Sequence, residues 1–310
     1  MMSNNFQYHI HKHSTGSTAI GLKASKIGWL RVILPPLPEQ QAIAAFLDRE
    51  TGRIDALIAK KERLLELLAE QRTALISRAV TKGLDASVKL KPSGVEWLGD
   101  VPEHWEVKKL KHTAFLFGRI GFRGYTTDDL VDEGEGAITL SPSNMKDGEI
   151  DLTKSTYISW EKYYESPEIM LKPEDVVIVK TGSTFGKIAY VRKVDHPITL
   201  NPQLAVFKNL KCSSRFFFYY VGAPYIQDQI SLSNTGSTIP TMTQQTIMSY
   251  AIHLPPLPEQ QVIAAFLDRE TAKIDTLSAK VFTVIERLKE YRTALISSAV
   301  TGKIDVREAV

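Results

Sequence analysis

The sequence has 310 residues and a mass of 34.7 kDa, with 43% hydrophobic residues, 24% charged residues and a single cysteine. These proportions exclude collagen-like, disordered and disulfide-built chains, and they leave room for one to three globular units at about 150 residues each. Thirty-eight Lys+Arg against 35 Asp+Glu give a net charge of +3, and residues 98–253 hold 16 basic against 18 acidic side chains, so bulk charge names no polyanionic partner.

The N-terminal stretch MMSNNFQYHIHKH has no apolar core of a leader peptide, and no run of about 18 apolar residues occurs, so neither a signal peptide nor a membrane span is expected. Cys212 cannot form an internal disulfide, which favours a reducing compartment and a cytoplasmic location. His9, His11 and His13 alternate without a nearby cysteine or acid, so a metal site is not expected there.

Residues 34–60, LPPLPEQQAIAAFLDRETGRIDALIAK, return at 254–280 as LPPLPEQQVIAAFLDRETAKIDTLSAK, with 22 of 27 positions identical at a constant offset of 220. The register extends to RTALIS at Arg72–Ser77 and Arg292–Ser297, and back to TGST at 15–18 and 235–238. The chain therefore contains one module twice. The first copy is preceded by only 33 residues, whereas 156 residues from Leu98 to His253 precede the second.

Each copy begins with a proline fit for a first helical turn and a glutamate that complements the helix dipole (Pro38-Glu39, Pro258-Glu259). Helices are predicted over 34–83 and 254–302. In the first, Ile43, Leu47, Ile54, Leu57, Leu64, Leu68 and Leu75 fall on a series of alternating four- and three-residue steps that Glu50, Lys61 and Gln71 interrupt. In the second, Ile263, Leu267, Ile274, Leu277, Val281, Val284, Leu288 and Leu295 do the same, interrupted by Glu270 and Tyr291. A period of 3.5 predicts a coiled coil, and pairing the two helices antiparallel within the chain is the simplest closure.

Residues 84–97 read as a linker, and 98–253 as an α+β domain whose first layer is anchored by Trp97 and Trp105. Strands are expected at Asp175–Lys180 and Ile188–Val191, with the turn TGSTFGK (181–187) between them and a helix from Arg215 packed on the sheet. That turn has three residues between Gly182 and Gly186 and Ile188 after its lysine, so it is not a Walker phosphate loop. Asn201-Pro202-Gln203-Leu204 lacks the second proline and the aromatic of an amine-holding methyltransferase motif. Glu106-Val107-Lys108 reads as the domain's first strand rather than as nuclease chemistry. No nucleophile elbow occurs, and binding is what remains.

Two groups suit DNA. Thr181, Ser183, Thr184 and Lys187 supply hydroxyls and a cation for phosphate oxygens, alongside backbone N–H groups of their turn. Arg119, Arg123 and Tyr125 lie in GRIGFRGY (118–125), where glycines allow close approach and arginine forks suit guanine edges. An ordinary hairpin turn and a surface loop are the bland alternatives for these two segments.

Together, the duplicated LPPLPEQQ-x-IAAFLD blocks, the RTALIS ends, SGVEWLGDVPEHWEVKKLK at 93–111 and TGSTFGKIAYV at 181–191 resemble the specificity subunit of type I restriction–modification systems. The resemblance implies target-recognition domains reading halves of a split site in double-stranded DNA, held apart by two long antiparallel helices that also dock modification subunits. Ile54, Leu57, Ile274, Leu277 and Leu288 are the helix residues expected to serve that docking. It further implies a subunit without catalysis or cofactor of its own, with S-adenosylmethionine, ATP and Mg on modification and restriction partners.

On this reading residues 1–33 are a remnant of the first recognition domain, 98–253 are a complete one, and 303–310 are a tail. Self-association of two copies, completion by a separate first domain, a pure coiled-coil assembly protein and a recombination remnant stay open.

Overall fold

The computed structural model describes residues 34–94, 98–119, 124–232 and 243–306. In chain order, helix α1 (Leu37–Lys82) leads to a hairpin, β1 (Leu90–Pro92) and β2 (Asp100–Pro102), then β3 (Glu106–Lys109) and β4 (Phe115–Gly118). Next come β5 (Leu130–Val131), β6 (Gly136–Leu140), β7 (Met145–Lys146), β8 (Glu149–Ile150), β9 (Tyr157–Ser159) and the short helix α2 (Trp160–Tyr164). Strands β10 (Val176–Val179), β11 (Ile188–Tyr190), β12 (Ile198–Leu200) and β13 (Leu204–Lys208) follow. Helices α3 (Ser214–Val221), α4 (Pro224–Leu232) and α5 (Gln244–Ser249), strand β14 (Ala251–Leu254) and helix α6 (Leu257–Val300) complete the order.

The chain divides into two compact units, one running to Glu70 and resuming at Ala272, the other spanning Gln71–Thr271. The first unit contains parts of the two long helices. They run antiparallel: Arg292, near the end of α6, donates from Nε and Nη2 to the Asp55 carboxylate at 2.7 and 3.0 Å. A fork-to-carboxylate pair fixes register as well as charge.

The buried stripe corrects the predicted seam at alternate positions. Leu47, Ile54 and Leu68 face inward as expected, and so do Ile274, Val281 and Leu288, but Leu57, Leu277 and Val284 are exposed. Their inward neighbours are Ile58, Ser278 and Ile285, and the buried hydroxyl residues Thr51 and Thr271 belong to the same stripe. Reading by aliphatic size passes over a threonine, yet each threonine satisfies its own hydroxyl within the helix. Thr51 Oγ1 donates to Leu47 O at 2.6 Å, and Thr271 Oγ1 to Leu267 O at 2.7 Å. With no unpaired group to bury, threonine is tolerated on a buried face, and Thr271 Oγ1 also lies 3.3 Å from the Tyr219 hydroxyl of α3.

The second unit holds the α+β domain. A four-stranded antiparallel sheet runs β11-β10-β13-β4, and a second sheet runs β12-β6-β9-β5 with β12 and β6 parallel. In β10 Val176 and Ile178 enter one apolar cluster, and Val177 and Val179 enter another. Both faces are covered, which is why the strand reads as an unbroken apolar run. The expected hairpin is present, pairing Val176 with Tyr190 and Ile178 with Ile188. The aromatic run folds as α3 and packs on this sheet, with Phe216, Phe217 and Tyr220 fully buried. The helix stops at Gly222, and Pro224 starts α4, so the single helix foreseen is two.

Trp105 is fully buried, as an anchor should be. The supposed linker is partly ordered, since Leu90–Pro92 pairs antiparallel with Asp100–Pro102, and the domain closes on β14, which pairs with β3. Trp97 lies outside the described residues. Cys212 packs against the core, and burial pushes its thiol up to about 12, which keeps it protonated.

Candidate nucleic-acid interface

The turn between β10 and β11 is built from glycine. Gly182 has φ of 112° and Gly186 φ of 83°, a region that side-chain-bearing residues rarely occupy. A side chain at Gly186 would also meet the Gln227 amide oxygen at 2.8 Å. The turn is internally bonded: Phe185 N donates to Gly182 O, Gly186 N to Val179 O and Lys187 N to Thr184 O, at 3.1, 2.9 and 3.1 Å. Those three N–H groups are therefore not offered to a phosphate, which narrows the backbone cradle foreseen for this turn to its first half, beside the side chains. Ser183 and Thr184 are exposed, and Thr181 and Lys187 are half-buried.

Next to the turn lies a cluster that sequence reading missed. Lys180, the residue after β10, is half-buried, and burial alone holds its ammonium below the usual lysine range. Among the described residues no carboxylate pairs with it. Its Nζ comes within 3.3 Å of where a Cβ would stand on Gly118, at the end of β4, and the Gln244 amide and Leu204 carbonyl crowd the same point at 3.1 Å each. Gly118 is thus the residue that lets a lysine and an amide meet at the ends of β4, β10 and β13.

Gln203 O accepts from Lys180 N at 2.8 Å, and Gln203 Nε2 stands 3.2 Å from the corresponding point on Gly182. Asn201 orients Gln203, donating from Nδ2 to its Oε1 at 3.3 Å. The Gln244 amide, in the orientation that satisfies both of its ends, donates to Leu116 O and accepts from Gly118 N at 3.1 and 3.2 Å. Lysine, amides and hydroxyls therefore form one polar shelf. The available signal was positional: Lys180 closes a buried strand immediately before a glycine turn, and Gln203 stands in the Asn-Pro-Gln motif set aside as failed methyltransferase chemistry.

Arg119 is placed differently from its sequence reading. It is 3% exposed and donates from Nε to Leu200 O at 3.1 Å and from Nη2 to Thr199 Oγ1 at 3.2 Å. Its guanidinium also lies 5.6 Å from the Tyr125 ring centre. Burial lowers its pKa, with Tyr125 and three carboxylates opposing that change. The side chain ties the end of β4 to β12 rather than extending a fork to solvent. Tyr125 is half-buried, its hydroxyl accepting from Thr139 Oγ1 at 3.2 Å. Arg123 lies outside the described residues, as do His9, His11 and His13.

Among the described residues no three His, Cys, Asp or Glu side chains gather as a metal site. None of the described helices is long and apolar enough to cross a membrane.

On the helices, Ile54 and Ile274 are buried and Leu288 is half-buried, while Leu57 and Leu277 are 41% and 45% exposed. Val284 and Tyr291, which follow Leu277 at steps of seven, are 40% and 59% exposed, so an apolar stripe faces outward on α6.

Two solved structures share this architecture. A chain from a study of complex assembly and conformational transition in a type I R-M system matches with a TM-score of 0.74 at 16% identity, covering 96% of this chain and 68% of that one. The HsdS subunit from Thermoanaerobacter tengcongensis matches with a TM-score of 0.55 at 17% identity, covering 97% and 68%. Likeness at that identity establishes the fold: a mixed sheet domain joined to two long helices.

The chain belongs to the family of type I restriction modification DNA specificity domains, whose family model matches residues 102–287. Curated relatives include the type I restriction enzyme MjaVIII specificity subunit of Methanocaldococcus jannaschii, 25% identical over 90% of this chain and 63% of its own length. The EcoKI specificity subunit of Escherichia coli K12 is 21% identical over 97% of this chain and 64% of its own. The chain thus spans less than two thirds of the length of these relatives.

Proposed function

We propose that this chain is the DNA sequence-specificity subunit of a type I restriction–modification complex, reading a half-site through residues 98–253. The observation that carries the reading is the shelf at the ends of β4, β10 and β13. There a desolvated Lys180 stands beside the amides of Gln203 and Gln244 and the hydroxyl-bearing turn 181–187. An ammonium that has lost water without gaining a carboxylate is stabilised by an incoming phosphate. The exposed Gln203 amide matches the donor–acceptor pair on an adenine edge in the major groove, while the Gln244 amide, bonded to Leu116 O and Gly118 N, braces the end of β4. Arg119 acts indirectly, fixing Tyr125 and the end of β12.

Modification subunits dock on the long helices, where Leu57, Leu277, Val284 and Tyr291 offer apolar contact, and restriction subunits join the assembled complex. The chain itself acts without catalysis, in the cytoplasm. S-adenosylmethionine, ATP and Mg belong to the partners.

The test is fluorescence anisotropy of the full chain, with a purified type I modification subunit, on pools of random duplexes. Selected duplexes should bind at least about tenfold tighter than the pool. Lys180→Ala and Lys187→Ala should each weaken binding and reduce the salt slope by about 1. Equal affinity for all duplexes with normal partner docking would overturn DNA reading in favour of an assembly protein. Failure of Leu277→Glu to weaken docking would remove the helix stripe from the reading.

A further inference from the structure

Asn201-Pro202-Gln203-Leu204 makes the tight turn between β12 and β13, closed by Leu204 N, which donates to Asn201 O at 3.1 Å. Proline suits the second position of such a turn, and asparagine in the first accepts from the backbone two residues on. Asn201 does so, since Gln203 N donates to its Oδ1 at 3.0 Å. Two further bonds fix the turn to its neighbours. Asn201 N donates to Leu140 O at 2.9 Å, and Lys180 N donates to Gln203 O at 2.8 Å. Arg119 braces the strand that leads into it, through Leu200 O and Thr199 Oγ1.

This bonding leaves Asn201 one orientation. A backbone N–H only donates, so the side-chain atom facing Gln203 N is the oxygen, and Nδ2 falls on the other side. Nδ2 in turn only donates, so the Gln203 atom it meets at 3.3 Å is Oε1. Gln203 Nε2 then lies on the Gly182 side, 3.2 Å from where a Cβ would stand there. Asn201 is buried and Gln203 exposed, so an amide held from within carries its donor and acceptor to the surface in a fixed order. Among the described residues Nε2 meets no acceptor, and Oε1 keeps a second lone pair.

A fixed order distinguishes the purines. On its major-groove edge adenine places an N6 donor beside the N7 acceptor, whereas guanine places two acceptors, O6 and N7. Held as it is, Gln203 satisfies both adenine groups, while against guanine its Oε1 is set opposite O6. An amide free to turn over would turn its NH2 to O6 instead.

We propose that Asn201 is a positioning residue for base choice: by fixing the amide it makes Gln203 accept from N6 and donate to N7 of one adenine, and reject guanine there. This choice presupposes DNA reading through residues 98–253 and assigns a base and a device within it.

The full chain, with a purified type I modification subunit, is titrated on a duplex selected from the random pool. Each adenine is replaced singly by 7-deazaadenine, which keeps its Watson–Crick pair and N6 but lacks the N7 acceptor. One position should lose at least about fivefold in affinity. Gln203→Ala should bind more weakly and show no penalty at that position, with penalties elsewhere unchanged. Asn201→Asp keeps an acceptor for Gln203 N but faces Oε1 with a carboxylate, so the amide turns over and the same penalty should disappear. Asn201→Ser, neutral and still able to accept from Gln203 N, lacks the Nδ2 donor and should shrink the penalty to less than half. Every comparison is a ratio between duplexes of equal charge, so the charge that Asn201→Asp adds cancels.

If the chain selects duplexes but no adenine carries a penalty that Gln203→Ala removes, the base choice is overturned and DNA reading stands. Equal affinity for all duplexes, with normal partner docking, overturns both. If the Asn201 variants keep the penalty, or weaken discrimination at every position alike, Asn201 serves only the fold and its positioning role is overturned.

Discussion

Residues 34–60 and 254–280 share 22 of 27 side chains and the same helical start, yet Leu34 is 78% exposed and Leu254 7%. The difference lies in what is packed alongside. The second copy is reached through β14, whose pairing with β3 brings the α+β domain onto the beginning of α6. There Trp105, Ser213, Arg215 and Tyr219 meet Glu259, Gln260 and Asp268. Burial belongs to a residue's neighbours, so one motif yields a core in one place and a surface in another.

Paired substitutions at matching positions can break this comparison, and the largest contrast is expected at the leucines. Leu254→Ala removes a buried side chain and should cost about 2–5 kcal/mol, whereas Leu34→Ala should leave chemical denaturation unchanged. Equal losses would mean that the first copy is packed as tightly as the second.

The next contrast depends on pH. His253, in β14, is fully buried, its Nδ1 2.8 Å from the Tyr220 hydroxyl. Burial drives its pKa to about 4, Lys91 adds to the depression, and the Ser93 backbone opposes it. The neutral ring is favoured on folding, so its contribution is complete above the ordinary histidine value of about 6.5 and is lost as pH falls from there towards 4. The loss should approach about 3 kcal/mol, since each tenfold difference in proton affinity between the folded and unfolded chains is worth about 1.4 kcal/mol. The matching position in the first copy is Ile33, which cannot titrate. His253→Gln should flatten the decline in stability from about pH 6.5 down to about pH 4, and an unchanged decline would assign it to other groups.

A smaller effect is expected at the aspartates. Asp268→Ala strands Arg215, whose side chain is 14% exposed, and should cost about 2 kcal/mol, while the exposed Asp48→Ala should be silent in the same melt. The smallest contrast concerns Glu259→Ala, which leaves the Trp105 N–H without its acceptor and should cost about 1 kcal/mol, against no change for Glu39→Ala. Measurable losses at Asp48 or Glu39 would show that the first copy already has a partner.

Some of the fold was legible at once. Proline before glutamate started both helices where Leu37 and Leu257 begin them, because a missing N–H and a favourable charge act locally. The buried hairpin at 176–190 was legible because a strand covered on both faces is apolar throughout. The seam was only half legible. A helical stripe admits two neighbouring readings, and self-satisfied threonines at 51 and 271 concealed the correct one. In the candidate interface the turn was visible as glycines between strands. The Lys180, Gln203 and Gln244 shelf was not, since its members lie in separate elements and meet only where Gly118 leaves room. Arg119 was visible as a residue but not in its role, which depends on the carbonyl and hydroxyl it meets across 81 and 80 residues.

The sequence by itself determined the duplication, the helix starts, the domain between the helices and the family resemblance, because these rest on local propensity and on residues in fixed order. The tertiary structure alone decided which copy is buried, which face of each helix points inward and which polar groups converge, because these depend on contacts between segments far apart in the chain. Residues 34–47 are more exposed than their counterparts at 254–267, over which a folded domain closes, whereas 51–60 and 271–280 are buried alike.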